Sequence, residues 1–461
     1  MRLTVIGCGY LGAVHAAAMA DLGHHVLGVE TDPARLALLA RGQAPFYEPG
    51  LDELLRRGAR TGRLRYAAEL DGAAARADVH FLAVGTPQSP SGRGADLSHL
   101  WRAVDSLAAV LPRCVHPDGM PLVVGKSTVP VGTAQQVADR LAGRALVVWN
   151  PEFLRESMAV ADTLSPDRIV YGLPDEPARA ERARTILDEV YAPILEAGAP
   201  RLTMGYQTAE LVKTAANAFL ATKISFINAM STLCAATGAD VTVLADAIGR
   251  DARIGPHFLR AGLGFGGGCL PKDLRGLEQR AAELGANGLA SFLDRVDAIN
   301  RGQRDRVTQM ALEALGPDAA GRAVTILGIT FKPDSDDLRD SPVLEVALRL
   351  ADAGAVVTVH DPRGLAGLRR LHPVLRTQPD ALRALEGAEL VILGTEWKEL
   401  TDLDPEAAAA RVARPVVIDA RNALAPSRWT AAGWDYRGIG RPSGPRRSAP
   451  RHRALAGTMV G

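Results

Sequence analysis

Cysteine is scarce and scattered in this sequence: the 461 residues carry four, at Cys8, Cys114, Cys234 and Cys269. They form no C-x-x-C pair and stand beside no histidine cluster at metal-ligand spacing, which argues against a disulfide framework and a metal site. Net charge is missing too. Lys+Arg 53 against Asp+Glu 52 leaves +1, so no global field draws the chain to nucleic acid or to an anionic membrane, and any anionic ligand must be held by local groups. No apolar run reads as a membrane span, because the Ala-rich stretches are cut by charge, Gly or Pro. A first strand starting at Arg2 or Leu3 leaves no room for a signal peptide. These absences predict a cytoplasmic protein with reduced thiols, no metal, and neither nucleic acid nor membrane as a partner.

What is present is glycine and a strand-helix rhythm. A chain this long is too large for one core and predicts two or three domains. Leu3 to Ile6 is a short apolar run ending in Gly7-Cys8-Gly9-Tyr10-Leu11-Gly12. A helical stretch to about Leu22 follows, then a second strand from His25 to Val29 that ends at Glu30. Strand, G-x-G-x-x-G, helix, strand and acid stand in the order a dinucleotide site requires. Gly7, Gly9 and Gly12 would let a pyrophosphate approach the helix N-terminus. Glu30 would hydrogen-bond the adenosine ribose and repel a 2′-phosphate, which favours NAD. Further strands end at Thr86, at Ser127-Thr128 and at Asn150-Pro151-Glu152-Phe153-Leu154. In a parallel sheet those ends share one crevice. Turn or capping chemistry would equally explain Thr86 and Thr128, and a solvated surface acid is the plain alternative for Glu152.

Thr208 to Thr237 reads as one helix without Pro or Gly, stopped by Gly238. Lys213 and Asn217, four apart, share a face. Burial would lower the Lys213 pKa and make it a proton carrier, although a lysine snorkelling to the surface is the simpler reading of the helix alone. Beyond it, Gly262 to Asp273 sets Cys269 behind a glycine-dense loop, with Lys272 and Asp273 just after. Such a loop can press its backbone against a ligand, and Lys272 would lower the thiol pKa. A small buried thiol explains the same residue. The βα rhythm then restarts near Val324 without the glycine fingerprint, giving a second doubly wound sheet with Lys332 and Arg421 at strand ends as phosphate candidates.

The fold class is therefore α/β, two Rossmann-like doubly wound domains joined by a long central helix within a helical region. The expected boundaries are 1–200 for NAD binding, 201–300 for the helical region with the thiol loop, 301–440 for the second sheet, and 441–461 for a disordered basic tail.

The motifs in combination resemble the UDP-glucose/GDP-mannose dehydrogenase family from Met1 to about Arg437. They are Gly7-x-Gly9-x-x-Gly12, Phe46-Tyr47-Glu48-Pro49-Gly50-Leu51, Gly85-Thr86-Pro87 and Ser127-Thr128-Val129-Pro130-Val131-Gly132-Thr133. Asn150 to Leu154, the Lys213/Asn217 helix, Gly264 to Asp273 and Phe331-Lys332-Pro333 complete the set. The resemblance implies NAD-linked, four-electron oxidation of a sugar C6 alcohol to a carboxylate. UDP-glucose going to UDP-glucuronate is the expected case; dTDP-glucose, a UDP-N-acetylhexosamine or GDP-mannose are alternatives. By the same resemblance Cys269 captures the aldehyde level as a thiohemiacetal and then a thioester. Lys213 takes or stabilises the alcohol proton, Asn217 holds the oxygen, Asp273 with Thr128 positions water, and Glu152 is the base for hydrolysis. Arg35, Thr86, Thr128, Lys272 and Arg339 fall on the NAD side. Glu152, Phe153, Leu154, Arg260, Phe265, Gly266, Phe331, Lys332 and Arg421 fall on the substrate side, and Arg253 reaches a neighbouring subunit, which implies a homodimer or larger homo-oligomer. The family commonly has Ser before the cysteine and Phe after it, where this chain has Gly268 and Leu270, and Ala229 replaces a frequent acid. A β-hydroxyacid dehydrogenase would share the first domain and the Lys/Asn helix but lack the thiol loop and the second sheet. A non-catalytic NAD-binding protein would be expected to lack Cys269, Lys213 or Glu152.

Overall fold

The computed structural model describes residues 1–442 apart from 71–75, 91–93 and 113–118. Cys114 and the expected tail from residue 443 onward lie outside the described residues. Val79–Leu82, apolar but for His80, and the fully apolar Leu146–Trp149 are buried along their whole length, as central strands of a parallel sheet covered on both faces must be. The first sheet contains β1 (Arg2–Ile6), β2 (His25–Val29), β3 (Leu64–Ala67), β4 (Val79–Leu82), β5 (Leu122–Gly125), β6 (Leu146–Trp149), β7 (Ile169–Leu173) and β8 (Arg201–Gly205). Its order is β3-β2-β1-β4-β5-β6-β7-β8. The first six strands follow the doubly wound dinucleotide order. β7 runs antiparallel to β6 and pairs in parallel with β8, an edge that the strand signals in the sequence do not reveal.

β8 passes directly into the central helix Tyr206–Thr237, which begins two residues before the expected Thr208. The helix ends at Gly238 with φ 77°, a left-handed cap that glycine takes without side-chain strain. Contrary to expectation, it is long and apolar enough to cross a membrane by length and composition. Its polar groups are committed inside the fold instead: Glu210 accepts from the Gly132 and Ala134 amides at 2.7 and 2.6 Å and so holds the start of helix Thr133–Arg140. Helices Leu270–Glu283 and Asn287–Leu315 pack on it and on each other.

The second sheet holds β9 (Ala323–Leu327), β10 (Val356–His360), β11 (Arg376–Thr377), β12 (Leu390–Leu393), β13 (Val416–Asp419) and β14 (Asp435–Gly438), all parallel, in the order β11-β10-β9-β12-β13-β14. It repeats the winding of the first. Asp361 follows β10 as Glu30 follows β2, but its carboxylate is spent on the Ile329, Thr330, Arg363 and Gly364 amides. Asp361 is therefore not free to meet a ribose as the acid after β2 would.

Charged side chains tie the parts together. Arg275 bonds Asp297 at 3.0 Å, reaches Gln88 in the loop after β4 at 3.3 Å and pairs with Asp340 in the loop after β9 at 3.5 Å. Buried Arg304 adds Asp340 at 2.8 Å and Glu345. Arg441, expected to begin the free tail, is held by Asp240 at 3.3 Å, so the ordered chain runs past that boundary. The thiol loop itself hangs on Asn300, fully buried, whose amide accepts from the Phe265 N–H at 2.8 Å and donates to its carbonyl at 2.9 Å. Asn300→Ala strands both backbone groups and should cost about 1–3 kcal/mol, read as a lower midpoint in denaturant unfolding.

Candidate active site

The dinucleotide turn is packed tightly on one side and open on the other. Gly7 has φ 88°, and a Cβ there would lie 2.7 Å from the Val84 backbone, while a Cβ at Gly12 would strike the Gly7 carbonyl. A Cβ at Gly9, the N-cap of helix Tyr10–Asp21, would meet nothing within 4 Å. Backbone N–H groups at a helix start facing open space fit a pyrophosphate, as NAD requires. Buried Glu30 stands at the end of β2, held by the Asp32 amide at 2.9 Å and Arg35 at 3.1 Å. Thr86 donates to the Thr128 carbonyl at 2.7 Å, so the two predicted strand ends do meet.

The central helix brings Lys213 inward rather than to the surface. Its ammonium lies 3.0 Å from Glu152, and both side chains are buried or nearly so. Burial pulls the Lys213 pKa down, but Glu152, Cys269 and Asp273 outweigh it and the net shift is upward. The lysine is thus a cation, not the lowered amine expected from burial alone. Glu152 also accepts from the Leu154 amide at 2.7 Å, and the Phe153 ring stacks on Arg168 at 3.9 Å and faces Lys213 at 5.9 Å. One helical turn on from Lys213, Asn217 donates to Asp273 at 2.7 Å. Lys272 takes the other Asp273 oxygen at 2.6 Å. It is therefore Lys213, and not Lys272 as expected, whose charge lowers the thiol pKa.

Cys269 opens to the cleft but has protein on most sides. Desolvation pushes its thiol up to about 12; Lys213 opposes, while Glu152, Asp273 and Glu156 add to the rise. Behind it, Gly267 takes φ 84° and lies against the Phe331 ring, where a Cβ would come within 2.7 Å. A Cβ at Gly266 would strike the Asp340 carbonyl, and one at Gly268 would lie 2.6 Å from the Arg339 guanidinium. Leu270 packs with Phe265, Ala218 and Leu274 in the cluster below the loop. Of the two unusual neighbours of the thiol, Gly268 makes room for an arginine and Leu270 fills core. A small cavity of about 20 Å³, space for one water, is lined by Thr128, Thr214, Lys272 and Asp273.

The second sheet contributes cations with prior commitments. Lys332 donates to the Glu156 carbonyl, and burial lowers its pKa against the pull of Glu156, Glu48 and Cys269. Arg339 binds Asp337 at 2.7 Å and Glu156 at 3.1 Å. Arg421, a phosphate candidate by sequence, donates instead to the carbonyls of Gly394, Gly264 and Phe331 at 2.7, 3.0 and 3.1 Å. It clamps the thiol loop to the second sheet. Arg260 pairs with Glu396 at 3.5 Å, and Arg253 is 89% exposed beside Asp251, outside this cluster.

Two acids escaped the reading of the sequence. Glu156 is buried, pushed up to about 7 by desolvation and Asp337 against Arg339 and Lys332. Glu48 holds Tyr10 and the Ser157 and Ala159 amides, the latter two at 2.8 Å each. Glu48 stood inside a quoted motif, and Glu156 four residues past Glu152; neither has a local signal of its role.

A thiol this far above neutrality should alkylate faster with every step in pH, by roughly tenfold per unit, with no plateau below about pH 10. Lys213→Met should slow labelling of the Cys269 peptide at each pH, as followed by mass spectrometry with iodoacetamide.

Sequence comparison agrees with this geometry over the whole fold. Models of the UDP-glucose/GDP-mannose dehydrogenase family match the NAD binding domain over residues 1–195, the central domain over 207–302 and the UDP binding domain over 325–426. The chain is 39% identical to a UDP-glucose 6-dehydrogenase of Rhizobium meliloti (strain 1021), over 96% of its own length and 100% of the relative's. It is 41% identical to one from Pseudomonas aeruginosa, over 96% and 98%. A solved UDP-glucose dehydrogenase from Pyrobaculum islandicum superposes with a TM-score of 0.85 at 38% identity, covering 95% of this chain and 98% of that one. With its dinucleotide turn, its thiol loop and its second doubly wound sheet in these places, the chain is an NAD-dependent oxidoreductase that belongs to the UDP-glucose/GDP-mannose dehydrogenase family.

Proposed function

We propose that the chain oxidises the C6 alcohol of UDP-glucose to the carboxylate in two hydride losses from the same carbon, with Cys269 holding the aldehyde level. The observation that carries this reading is the convergence of one accessible thiol with the Lys213–Glu152 pair and the Asn217–Asp273 pair. The names of the relatives that match almost the full chain support UDP-glucose over other nucleotide sugars.

NAD bound along the glycine turn supplies the hydride acceptor. In the first oxidation Lys213, a cation, passes a proton to Glu152 at 3.0 Å as it takes the alcohol proton. The thiol of Cys269 then adds across the aldehyde: sulfur bonds C6, and the thiol proton goes to the oxygen, which Lys213 and Asn217 stabilise. Glu152 then releases to solvent the proton it received, and loss of the second hydride to a second NAD, with the hydroxyl proton leaving through Lys213, gives a thioester. Water beside Thr128 and Asp273 adds to it, Glu152 takes the water proton, and the C–S bond breaks to release carboxylate and thiol. Phe331, Lys332 and Arg260 hold the nucleotide sugar in this reading, and Arg421 acts through the loop it clamps.

The protein works in the cytoplasm as a homodimer. Among the described residues the free thiols Cys8, Cys234 and Cys269 support the first statement. Phe219, Phe226 and Leu233, spaced seven apart on the central helix and 67%, 52% and 55% exposed, support the second, since a stripe of that spacing faces one way.

Wild-type chain given UDP-glucose should release two NADH per uronate formed, read as absorbance against product; one NADH per sugar would end the double oxidation. Cys269→Ala should lose uronate formation while still binding both ligands in calorimetry, and near-normal uronate production would refute covalent capture. Lys332→Ala should raise KM for the sugar nucleotide at least roughly tenfold more than KM for NAD, and an equal rise would remove it from the sugar-nucleotide site.

A further inference from the structure

Lys126 is a buried cation that no step above uses. It follows β5 directly, two residues before Thr128, and is 7% exposed. Its ammonium donates to the Asn150 side-chain oxygen at 2.9 Å and to the Tyr191 hydroxyl at 3.4 Å, and lies 5.9 Å from the centre of the Tyr191 ring. Both partners are neutral. Asn150 is itself fully engaged: its amide donates to the Val170 carbonyl at 2.8 Å, and its oxygen also accepts from Tyr191 at 2.7 Å. Asn150 stands two residues before Glu152, so the Lys126–Asn150 bond joins the loop carrying Thr128 to the loop carrying Glu152.

The groups that face Lys126 give it little compensation. His15, on helix Tyr10–Asp21, is buried and held neutral by desolvation, by Lys126 and by His24. Tyr191, which follows helix Pro177–Val190, is held neutral by burial. Glu152 is the acid that favours the charged amine. It is already in contact with Lys213, so one carboxylate serves two ammonium groups. A buried charge with neutral partners costs stability, and stability does not explain its presence.

We propose that Lys126 is a positioning residue for the reaction: through Asn150 it fixes the Thr128 and Glu152 loops relative to each other and sets a second positive charge behind Glu152. The inference rests on the reaction proposed above, in which Thr128 and Glu152 serve the same hydrolysis.

Burial brings the Lys126 pKa down to about 8, with Glu152 opposing. Below that value the amine is charged in both folded and unfolded chains, and the folded state bears the full penalty. From about 8 up to the unfolded value of 10.5 the folded chain binds fewer protons, so this group's contribution to stability improves with rising pH. Lys126→Met keeps the stem and removes the charge. It should leave Tm at neutral pH unchanged or higher, while kcat for NADH release from UDP-glucose falls at least roughly tenfold and both KM values stay within about twofold. Wild-type kcat should decline above about pH 8 as the amine loses its proton. Asn150→Asp places a carboxylate against the amine and should move that decline upward by about one pH unit or more.

A kcat within about twofold of wild type in Lys126→Met would overturn the proposal, and so would an alkaline decline that Asn150→Asp leaves in place. If Lys126→Met fails to fold, the Asn150→Asp profile decides alone. A wild-type chain that releases no NADH with UDP-glucose would sink the proposed reaction and this inference with it; a normal wild type beside an unaffected variant would sink the inference only.

Discussion

The site depends on a buried ion pair between two elements that no local sequence signal connects. Lys213 comes from the central helix and Glu152 from the loop after β6, and their contact at 3.0 Å fixes that helix against the carboxyl edge of the first sheet. Such a pair is a poor source of stability, since desolving two charges consumes most of their attraction. What it provides is geometry and charge. It makes Lys213 a cation at neutral pH and puts that cation where it acts on Cys269. Without the carboxylate, burial would pull the amine down, and the thiol would lose the largest of the charges that lower its pKa.

Around this pair the chain spends polar groups on rigidity. Asn300 grips Phe265 on both its backbone groups, Arg421 grips the Gly264 and Phe331 carbonyls, and Glu210 grips the start of a helix in the first domain. Each spans two or more parts of the fold. Glycines let the loop sit where these grips need it, because the neighbours of Gly266, Gly267 and Gly268 leave no space for a side chain. The thiol is therefore presented by a backbone bound from the central helical region and the second sheet.

Much of this was legible in the sequence because it is local. The strands, the dinucleotide turn, the end of the central helix at Gly238 and the presence of a second sheet all follow from short apolar runs, glycine spacing and caps. The short edge strands β11 and β14 were not, since their burial is partial, nor was β7, which is buried but whose antiparallel pairing is set by distant neighbours. The site divides in the same way. Residue identities at Cys269, Lys213, Asn217, Asp273 and Glu152 could be named, but their pairing could not. Lys272 looked like the activating cation because it is near in sequence, yet it bonds Asp273; Arg421 looked like a phosphate ligand because it ends a strand, yet its donors face carbonyls. Electrostatic partners are tertiary facts.

Gly268 has a consequence beyond this chain. The Arg339 guanidinium, held by Asp337 and Glu156, stands where a side chain at position 268 would begin. A serine there and an arginine in this pose exclude one another, so a side chain at 268 requires the guanidinium to swing out of its present contacts. The effect of changing one is set by what occupies the other, and their substitutions should not add. The residue before the nucleophile and an arginine seventy-one positions later are thus coupled, and transplanting the common loop sequence into this scaffold changes how Arg339 meets Asp337 and Glu156.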